Sequence, residues 1–122
     1  MRVLIVDDET AIVSLLKEWL TERGHEAFEL ATAVRLPSWV AEHEYDVLFL
    51  DVHLRGANGL WFISQVYAAA PKLTIIVMSG DGDPAVKKIA LQEGARHYVS
   101  KPLDIALLDG VLQEIMDEKA RT

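Results

Sequence analysis

The sequence predicts one α/β domain, a doubly wound parallel sheet of five strands with helices on both faces. The chain has 122 residues, enough for a single well-packed core. Short apolar runs without a two-residue alternation recur along it, as in strands buried on both faces. Segments of helical length separate these runs. Repeated β–α units with right-handed crossovers place the strands parallel in one sheet.

The strands are predicted from apolar runs taken in order along the chain. VLIV, VLFL and TIIVM are continuous and suit strands buried on both faces. HEAFEL, between the first two of these runs, is polar enough to form an edge strand. The expected strands lie near 2–6, 26–30, 46–50, 73–78 and 97–99.

The helices are predicted from apolar stripes and from end signals. TAIVSLLKEWLTER keeps apolar side chains on one face and stops at Gly24, and PAVKKIALQEG does the same at Gly94. Pro37 fits only the first turn of the second helix, which should therefore start late and be short. The expected helices lie near 10–23, 36–43, 58–69, 84–93 and 104–118.

Composition narrows the class of protein. The chain carries 12 basic and 19 acidic residues, a formal charge of −7, which predicts no direct binding to nucleic acid. Cysteine is absent, so there are neither disulfides nor thiolate metal ligands. The apolar run in MRVLIVDDE is too short for a signal sequence or a membrane span. We therefore expect a cytoplasmic protein with no membrane segment.

Polar side chains follow the central strands at the point where each strand ends. In open α/β sheets the ligand site lies beyond these carboxyl ends. Asp8 and Asp51 should lie within about 5 Å of each other if their strands are neighbours, and at an effective dielectric of about 20 they repel by about 3 kcal/mol. The polar groups are Asp7, Asp8 and Glu9 after the first strand, Asp51 after the third, Ser79 after the fourth and Lys101 after the fifth.

This set of groups suits phosphoryl transfer rather than proton transfer. Lys101 and a hard divalent cation such as Mg²⁺ are the available compensation for the clustered carboxylates. Both would neutralise phosphoryl oxygens, and Ser79 can donate a hydrogen bond to one of them. A carboxylate placed there can attack phosphorus and form an aspartyl phosphate. For Glu9 alone, capping of the first helix is an alternative explanation.

Four stretches resemble the receiver domain of two-component response regulators over essentially the whole chain. They are VLIVDDE, YDVLFLDVHLRGANG, IIVMSGDGD and GARHYVSKPL, which begin at residues 3, 45, 75 and 94. The resemblance implies the flavodoxin-like fold with strand order 2-1-3-4-5 and one receiver domain over residues 1–122. It implies that a sensor histidine kinase or a histidine phosphotransfer protein supplies the phosphoryl group from a phosphohistidine. It also implies that the domain is not an enzyme, since it promotes only its own phosphorylation and autodephosphorylation.

The resemblance assigns roles to individual residues. Asp51 corresponds to the phosphoacceptor, Ser79 to the hydroxyl switch and Lys101 to the lysine that contacts the phosphate. Tyr98 matches the aromatic side chain that moves inward as the hydroxyl moves toward the phosphate, although a buried core tyrosine would also explain it. Pro102 would follow a cis peptide bond.

The resemblance also implies a set of ligands for Mg²⁺ or Mn²⁺. Asp8 and Asp51 would bind the cation directly, Asp7 would bind it through water, and His53 would contribute its backbone carbonyl. Phosphorylation would then shift the domain between two packings of the face formed by the last two helices and the last strand. A shift from 1:99 to 99:1 requires about 5.5 kcal/mol of differential stabilisation.

Several positions depart from the family pattern or vary within it. Arg55 stands where the family usually has proline. His53, together with Asp81, is hypothesised to tune the lifetime of the phosphoryl group, and a surface histidine without a role is the alternative. Trp61 replaces a usually acidic residue, either as an exposed interface anchor or folded back over its own helix.

The last helix raises the question of dimerisation. Leu107 and Val111 broaden its apolar stripe, which is compatible with a homodimer through the face formed by the last two helices and the last strand. Simple burial explains the stripe nearly as well.

Two other classes of protein use similar residues. A phosphatase of the haloacid dehalogenase kind also forms an aspartyl phosphate, but its nucleophile is followed two residues later by a second aspartate, and that position is His53 here. A phosphorylation-independent interaction module on the same scaffold would be expected to have lost one of the acidic pair, the acceptor or the lysine. This chain keeps all of them.

Overall fold

The computed structural model describes residues 1–80 and 82–121, and the predicted elements follow one another in the expected order. The strands are β1 (Arg2–Val6), β2 (Glu26–Glu29), β3 (Val47–Asp51), β4 (His53–Leu54), β5 (Ala57–Asn58), β6 (Thr74–Ser79) and β7 (His97–Ser100). The helices are α1 (Thr10–Glu22), α2 (Leu36–Glu42), α3 (Leu60–Ala69), α4 (Pro84–Glu93) and α5 (Ile105–Ala120).

Five parallel strands form the main sheet in the order β2-β1-β3-β6-β7. Counted among these five strands alone, this is the expected order 2-1-3-4-5, with the polar strand β2 at an edge. The remaining strands, β4 and β5, form a separate antiparallel hairpin that the sequence did not predict. The fold is therefore the predicted flavodoxin-like sheet with one added hairpin after β3.

Two apolar layers cover the sheet. One is formed with α2, α3 and α4, and the other with α1 and α5. Alternate residues of β1 belong to opposite layers, with Leu4 and Val6 in the first and Val3 and Ile5 in the second. Because both faces of the central strands are buried, these strands are apolar throughout rather than alternating.

The helix boundaries follow local signals. Pro37 lies in the first turn of α2, which is only 7 residues long, as predicted. Helix α3 begins at Leu60 rather than near residue 58, because Asn58 pairs within the hairpin and its Oδ1 accepts the Leu60 N–H at 3.0 Å. The Lys101–Pro102 peptide bond is cis, as expected. Within the described part of the chain, no helix combines the length and apolarity needed to cross a membrane.

Candidate functional site

The carboxyl ends of β1 and β3 bring three carboxylates together. Val6 pairs with Leu50 in the sheet, so Asp7 follows β1 next to the end of β3, where Asp51 is the last residue. Carboxylate oxygens of Asp7, Asp8 and Asp51 all lie within 4.8 Å of one another. Asp7 and Asp51 are buried, whereas Asp8 is exposed. The expected proximity of Asp8 and Asp51 is therefore confirmed.

Lys101 reaches this cluster from the far end of the chain. Its Nζ lies 2.9 Å from Asp7 Oδ2 and 3.4 Å from Asp51 Oδ1. Burial by itself would lower the pKa of Lys101, but the contacts with Glu9 and Asp7 and the charge of Asp51 outweigh burial and raise this pKa above its ordinary value. Lys101 therefore carries its positive charge among the carboxylates.

Opposing effects of burial and nearby charges act on the pKa of Asp51. Burial raises the pKa of Asp51, and the nearby charge of Asp7 raises it further. The charge of Lys101 and the His53 backbone N–H, which donates to Asp51 Oδ1 at 3.3 Å, act in the opposite direction. Positive charge near Asp51 consequently favours the carboxylate form, the form that is nucleophilic.

Glu9 contacts Lys101 and does not cap α1 with its side chain. Glu9 occupies the N-cap position, but only its backbone carbonyl takes part, accepting the N–H groups of Ile12 and Val13 at 3.1 Å. The Glu9 carboxylate instead accepts a hydrogen bond from Lys101 Nζ at 2.8 Å. Side-chain capping, the alternative offered for this residue, is therefore wrong. This contact joins side chains that are 92 residues apart in sequence and meet at the shared edge of the sheet.

A hard divalent cation suits the carboxylate oxygens of the cluster. Asp7 Oδ1 accepts the Glu9 N–H at 2.9 Å, while Asp7 Oδ2 is buried and has no hydrogen-bond partner among the described residues. Lys101 Nζ makes an ion pair with this oxygen at 2.9 Å. A buried carboxylate oxygen without a hydrogen bond is costly, and a bound cation would compensate it further. The all-oxygen donor set suits Mg²⁺ or Mn²⁺.

The predicted switch residues lie at the same edge of the sheet. Ser79 ends β6, is fully buried and pairs in register with Ser100, and its backbone carbonyl accepts the Lys101 N–H at 2.8 Å. Tyr98 is half-buried and packs against the apolar layer formed with α2, α3 and α4. This location fits both interpretations of Tyr98, as a side chain that moves during switching and as a core tyrosine. Its movement therefore stays a prediction.

The two residues expected to tune the lifetime differ in what the structure describes. His53 is exposed on β4, directly after the Asp51–Val52 segment. The binding of a cation by its backbone carbonyl stays a prediction. Asp81 lies outside the described residues.

Two further residues contact the cluster and had no role assigned from the sequence. The backbone N–H of Arg55 donates to Asp8 Oδ2 at 2.8 Å. Gly59 packs against the main chain of Asp51 so closely that a Cβ at this position would overlap the Asp51 carbonyl oxygen. The sequence signals were the departure from proline at residue 55 and the glycine that closes the GANG stretch.

The structure gives the exposure of the side chains that were considered as interface residues. Trp61 is 75% exposed, which excludes its folding back over its own helix. The remaining interpretation is that Trp61 is an exposed interface anchor, which stays a prediction. Leu107 is 53% exposed on α5, whereas Val111 is half-buried. Burial alone therefore does not account for Leu107.

The fold and the site together define a doubly wound domain with clustered carboxylates and a lysine at the carboxyl edge of its sheet. A family model described as the response regulator receiver domain matches residues 3–113. The DNA-binding transcriptional regulator NtrC of Azospirillum brasilense is 33% identical over 115 residues, covering 94% of this chain and 24% of that protein. The chain thus spans about a quarter of that relative's length. It belongs to the response regulator receiver domain family.

Solved structures show the same fold. A CheY-like receiver domain protein from Methanospirillum hungatei superimposes with a TM-score of 0.89 at 24% identity, covering 99% of this chain and 98% of that one. The NtrC4 receiver domain, solved as a beryllofluoride-activated dimer, gives a TM-score of 0.88 at 28% identity, covering 96% and 97%. Receiver domains of this family bind Mg²⁺ at an acidic pocket, and the carboxylate cluster is the matching feature here.

Proposed function

We propose that Asp51 accepts a phosphoryl group from a phosphohistidine of a sensor histidine kinase or a histidine phosphotransfer protein. The observation that carries this proposal is the buried Asp51 carboxylate, in contact with Lys101 and within 4.8 Å of carboxylate oxygens of Asp7 and Asp8. An oxygen of Asp51 forms the new O–P bond while the P–N bond to the histidine breaks. The whole chain, residues 1–122, acts as one receiver domain in this proposal.

The charged groups divide the work of this transfer. A bound Mg²⁺ or Mn²⁺ supplies a positive charge that neutralises phosphoryl oxygens as the O–P bond forms. Asp8 and Asp51 are its proposed direct ligands, with Asp7 acting through water and His53 through its carbonyl. Lys101 already lies 3.4 Å from Asp51 Oδ1, so its ammonium is placed to pair with a phosphoryl oxygen on that residue.

The readout of phosphorylation is proposed to run through Ser79 and Tyr98. Ser79 ends β6 and Tyr98 lies on the neighbouring strand β7, where it pairs in register with Val77. A hydrogen bond from the Ser79 hydroxyl to the phosphoryl group would draw β6 and its following loop toward Asp51. Tyr98 would then move inward, changing the face formed by α4, β7 and α5.

The face formed by α4, β7 and α5 is also the proposed surface for a homodimer. We propose a homodimer: the NtrC4 receiver domain was solved as an activated dimer, and the exposed Leu107 on α5 favours the face formed by α4, β7 and α5 for this chain. The domain is not a classical enzyme. We propose that the only reactions it promotes are its own phosphorylation and autodephosphorylation, with His53 and Asp81 setting the lifetime of the phosphoryl group. Unchanged dephosphorylation in both His53→Ala and Asp81→Ala would remove the lifetime role.

Labelling with a small phosphodonor tests the central proposal. The purified chain is incubated with Mg²⁺ and acetyl phosphate, and intact-mass spectrometry is expected to show one added phosphoryl group. Asp51→Asn should abolish the addition, and Asp117→Asn, a change at an exposed carboxylate on α5, should leave it intact. Sustained hydrolysis of phosphate esters would instead indicate the phosphatase class. Mg²⁺ binding without labelling of an intact Asp51 would indicate an interaction module that does not use phosphorylation.

A further inference from the structure

Among the described residues, Arg55 contacts Asp8, the carboxylate of the site that makes no ion pair with Lys101. Lys101 pairs with Asp7, Glu9 and Asp51. Asp8 is held instead by Arg55, whose backbone N–H lies 2.8 Å from Asp8 Oδ2 and whose Nε lies 3.9 Å from the same oxygen. Lys101 therefore pairs with three of these four carboxylates, and Arg55 contacts the fourth.

The hairpin turn fixes this contact. Leu54 pairs with Ala57, so Arg55 and Gly56 form a two-residue turn between β4 and β5. Gly56 has a φ of 72°, whereas Arg55 is outside the positive-φ region. A positive φ at the second central residue alone is the pattern of a type II turn, which commonly has proline at the first central residue. Proline at position 55 would thus suit the turn, but it has no N–H to donate to Asp8.

We propose that Arg55 lowers the affinity of the carboxylate cluster for Mg²⁺ by occupying Asp8 in the metal-free domain. This inference rests on the cation site of the proposed function. A cation that binds Asp8 Oδ2 must share this oxygen with the Arg55 N–H or displace the N–H. It is also repelled by the guanidinium group. Both effects weaken binding, and both are absent when residue 55 is proline.

The backbone N–H carries most of the effect. The Arg55 side chain is 95% exposed, so solvent and salt screen its guanidinium charge. The N–H is held in place by the hairpin and donates to a carboxylate group, which makes a stronger hydrogen bond than a neutral acceptor does. Arg55 thus competes with the cation for Asp8 and raises the free Mg²⁺ concentration at which Asp51 becomes ready for phosphorylation.

A Mg²⁺ titration of the whole chain tests this inference without phosphorylation. The dissociation constant is measured from the amide NMR shifts of residues 8 and 59 at constant ionic strength. Arg55→Pro is expected to bind Mg²⁺ about tenfold more tightly. Arg55→Ala, which keeps the N–H, should bind less than about threefold more tightly. Arg121→Ala removes an equal charge at the C-cap of α5 and should leave the affinity unchanged.

The parent protein supplies a second measurement that needs no proline variant. The Arg55 amide proton should shift upfield as Mg²⁺ takes over Asp8, and an amide shift unaffected by saturating Mg²⁺ would overturn the inference. Equal or weaker Mg²⁺ binding by Arg55→Pro would do the same while leaving the cation site in place. If the parent binds no Mg²⁺ at all, the proposed cation site is wrong and the inference falls with it.

Discussion

Single residues at the carboxylate edge carry buried charges that a purely stabilising role does not explain. Asp7 and Asp51 are buried carboxylates at neighbouring strand ends, and one ammonium group serves both. A buried ion pair is usually no more stabilising than apolar side chains of the same volume. An additional carboxylate beside such a pair adds repulsion that burial strengthens. The cost of assembling these charges is consistent with the proposed role in phosphoryl transfer.

Gly59 provides a stability test beside the reactive residue. Gly59→Ala would place a methyl group against the Asp51 carbonyl oxygen, and we expect a loss of about 1–3 kcal/mol in the free energy of unfolding. The matched control is Gly110→Ala on α5, where a Cβ meets no atom within 4 Å. This control should gain about 0.5–1 kcal/mol, because alanine favours the helix. Urea unfolding measures both changes, and equal effects at the two glycines would contradict the close approach.

At the scale of elements, the main sheet and the strand-end residues could be predicted from sequence. Continuous apolar runs identify buried parallel strands, and the carboxyl ends of such strands share one edge, so Asp51 and Lys101 were expected near each other. The β4–β5 hairpin could not be predicted, because two-residue strands are too short to show periodicity. The contact of Arg55 with Asp8 depends on the geometry of that hairpin turn, and it was missed for the same reason.

Asp109 on α5 is paired with Arg23 at the end of α1, and this ion pair predicts how the stability of the domain responds to acid. Arg23 Nε lies 2.6 Å from Asp109 Oδ1, and Trp19 Nε1 donates to the same oxygen at 2.8 Å. The hydrogen bonds from Arg23, and then the one from Trp19, hold the pKa of Asp109 below its ordinary value of 3.8. The carboxylate therefore stabilises the fold above its unfolded-state pKa, and this contribution is lost as pH falls through the lower folded-state pKa.

Replacing Asp109 should weaken the domain and flatten its acid response. Asp109→Asn is expected to lower the urea midpoint at neutral pH and to lose less stability than the parent between about pH 5 and pH 2. Asp117→Asn changes an exposed carboxyl group on the same helix and should follow the parent curve. An Asp109→Asn curve parallel to that of the parent would show that the Arg23 contact does not favour the charged carboxylate.

The whole molecule carries a formal charge of −7, and its carboxylate cluster concentrates part of that charge at one edge. Self-repulsion of this kind opposes the compact state, and added salt screens it without regard to the identity of the cation. A cation held by Asp7, Asp8 and Asp51 would act differently, because it would bind the folded chain alone. Salt screening and site binding can therefore be separated by comparing cations.

Thermal unfolding in Mg²⁺ and in NaCl makes that comparison. At a Mg²⁺ concentration tenfold above the dissociation constant, linkage predicts about 1.4 kcal/mol of added stability. For a chain of 122 residues this corresponds to a rise in Tm of about 5 °C beyond the rise in NaCl of equal ionic strength. Asp8→Asn should remove most of the difference between the salts, and Glu114→Gln, at an exposed position on α5, should preserve it. Equal Tm values in the two salts would mean that Mg²⁺ acts on this chain only by screening.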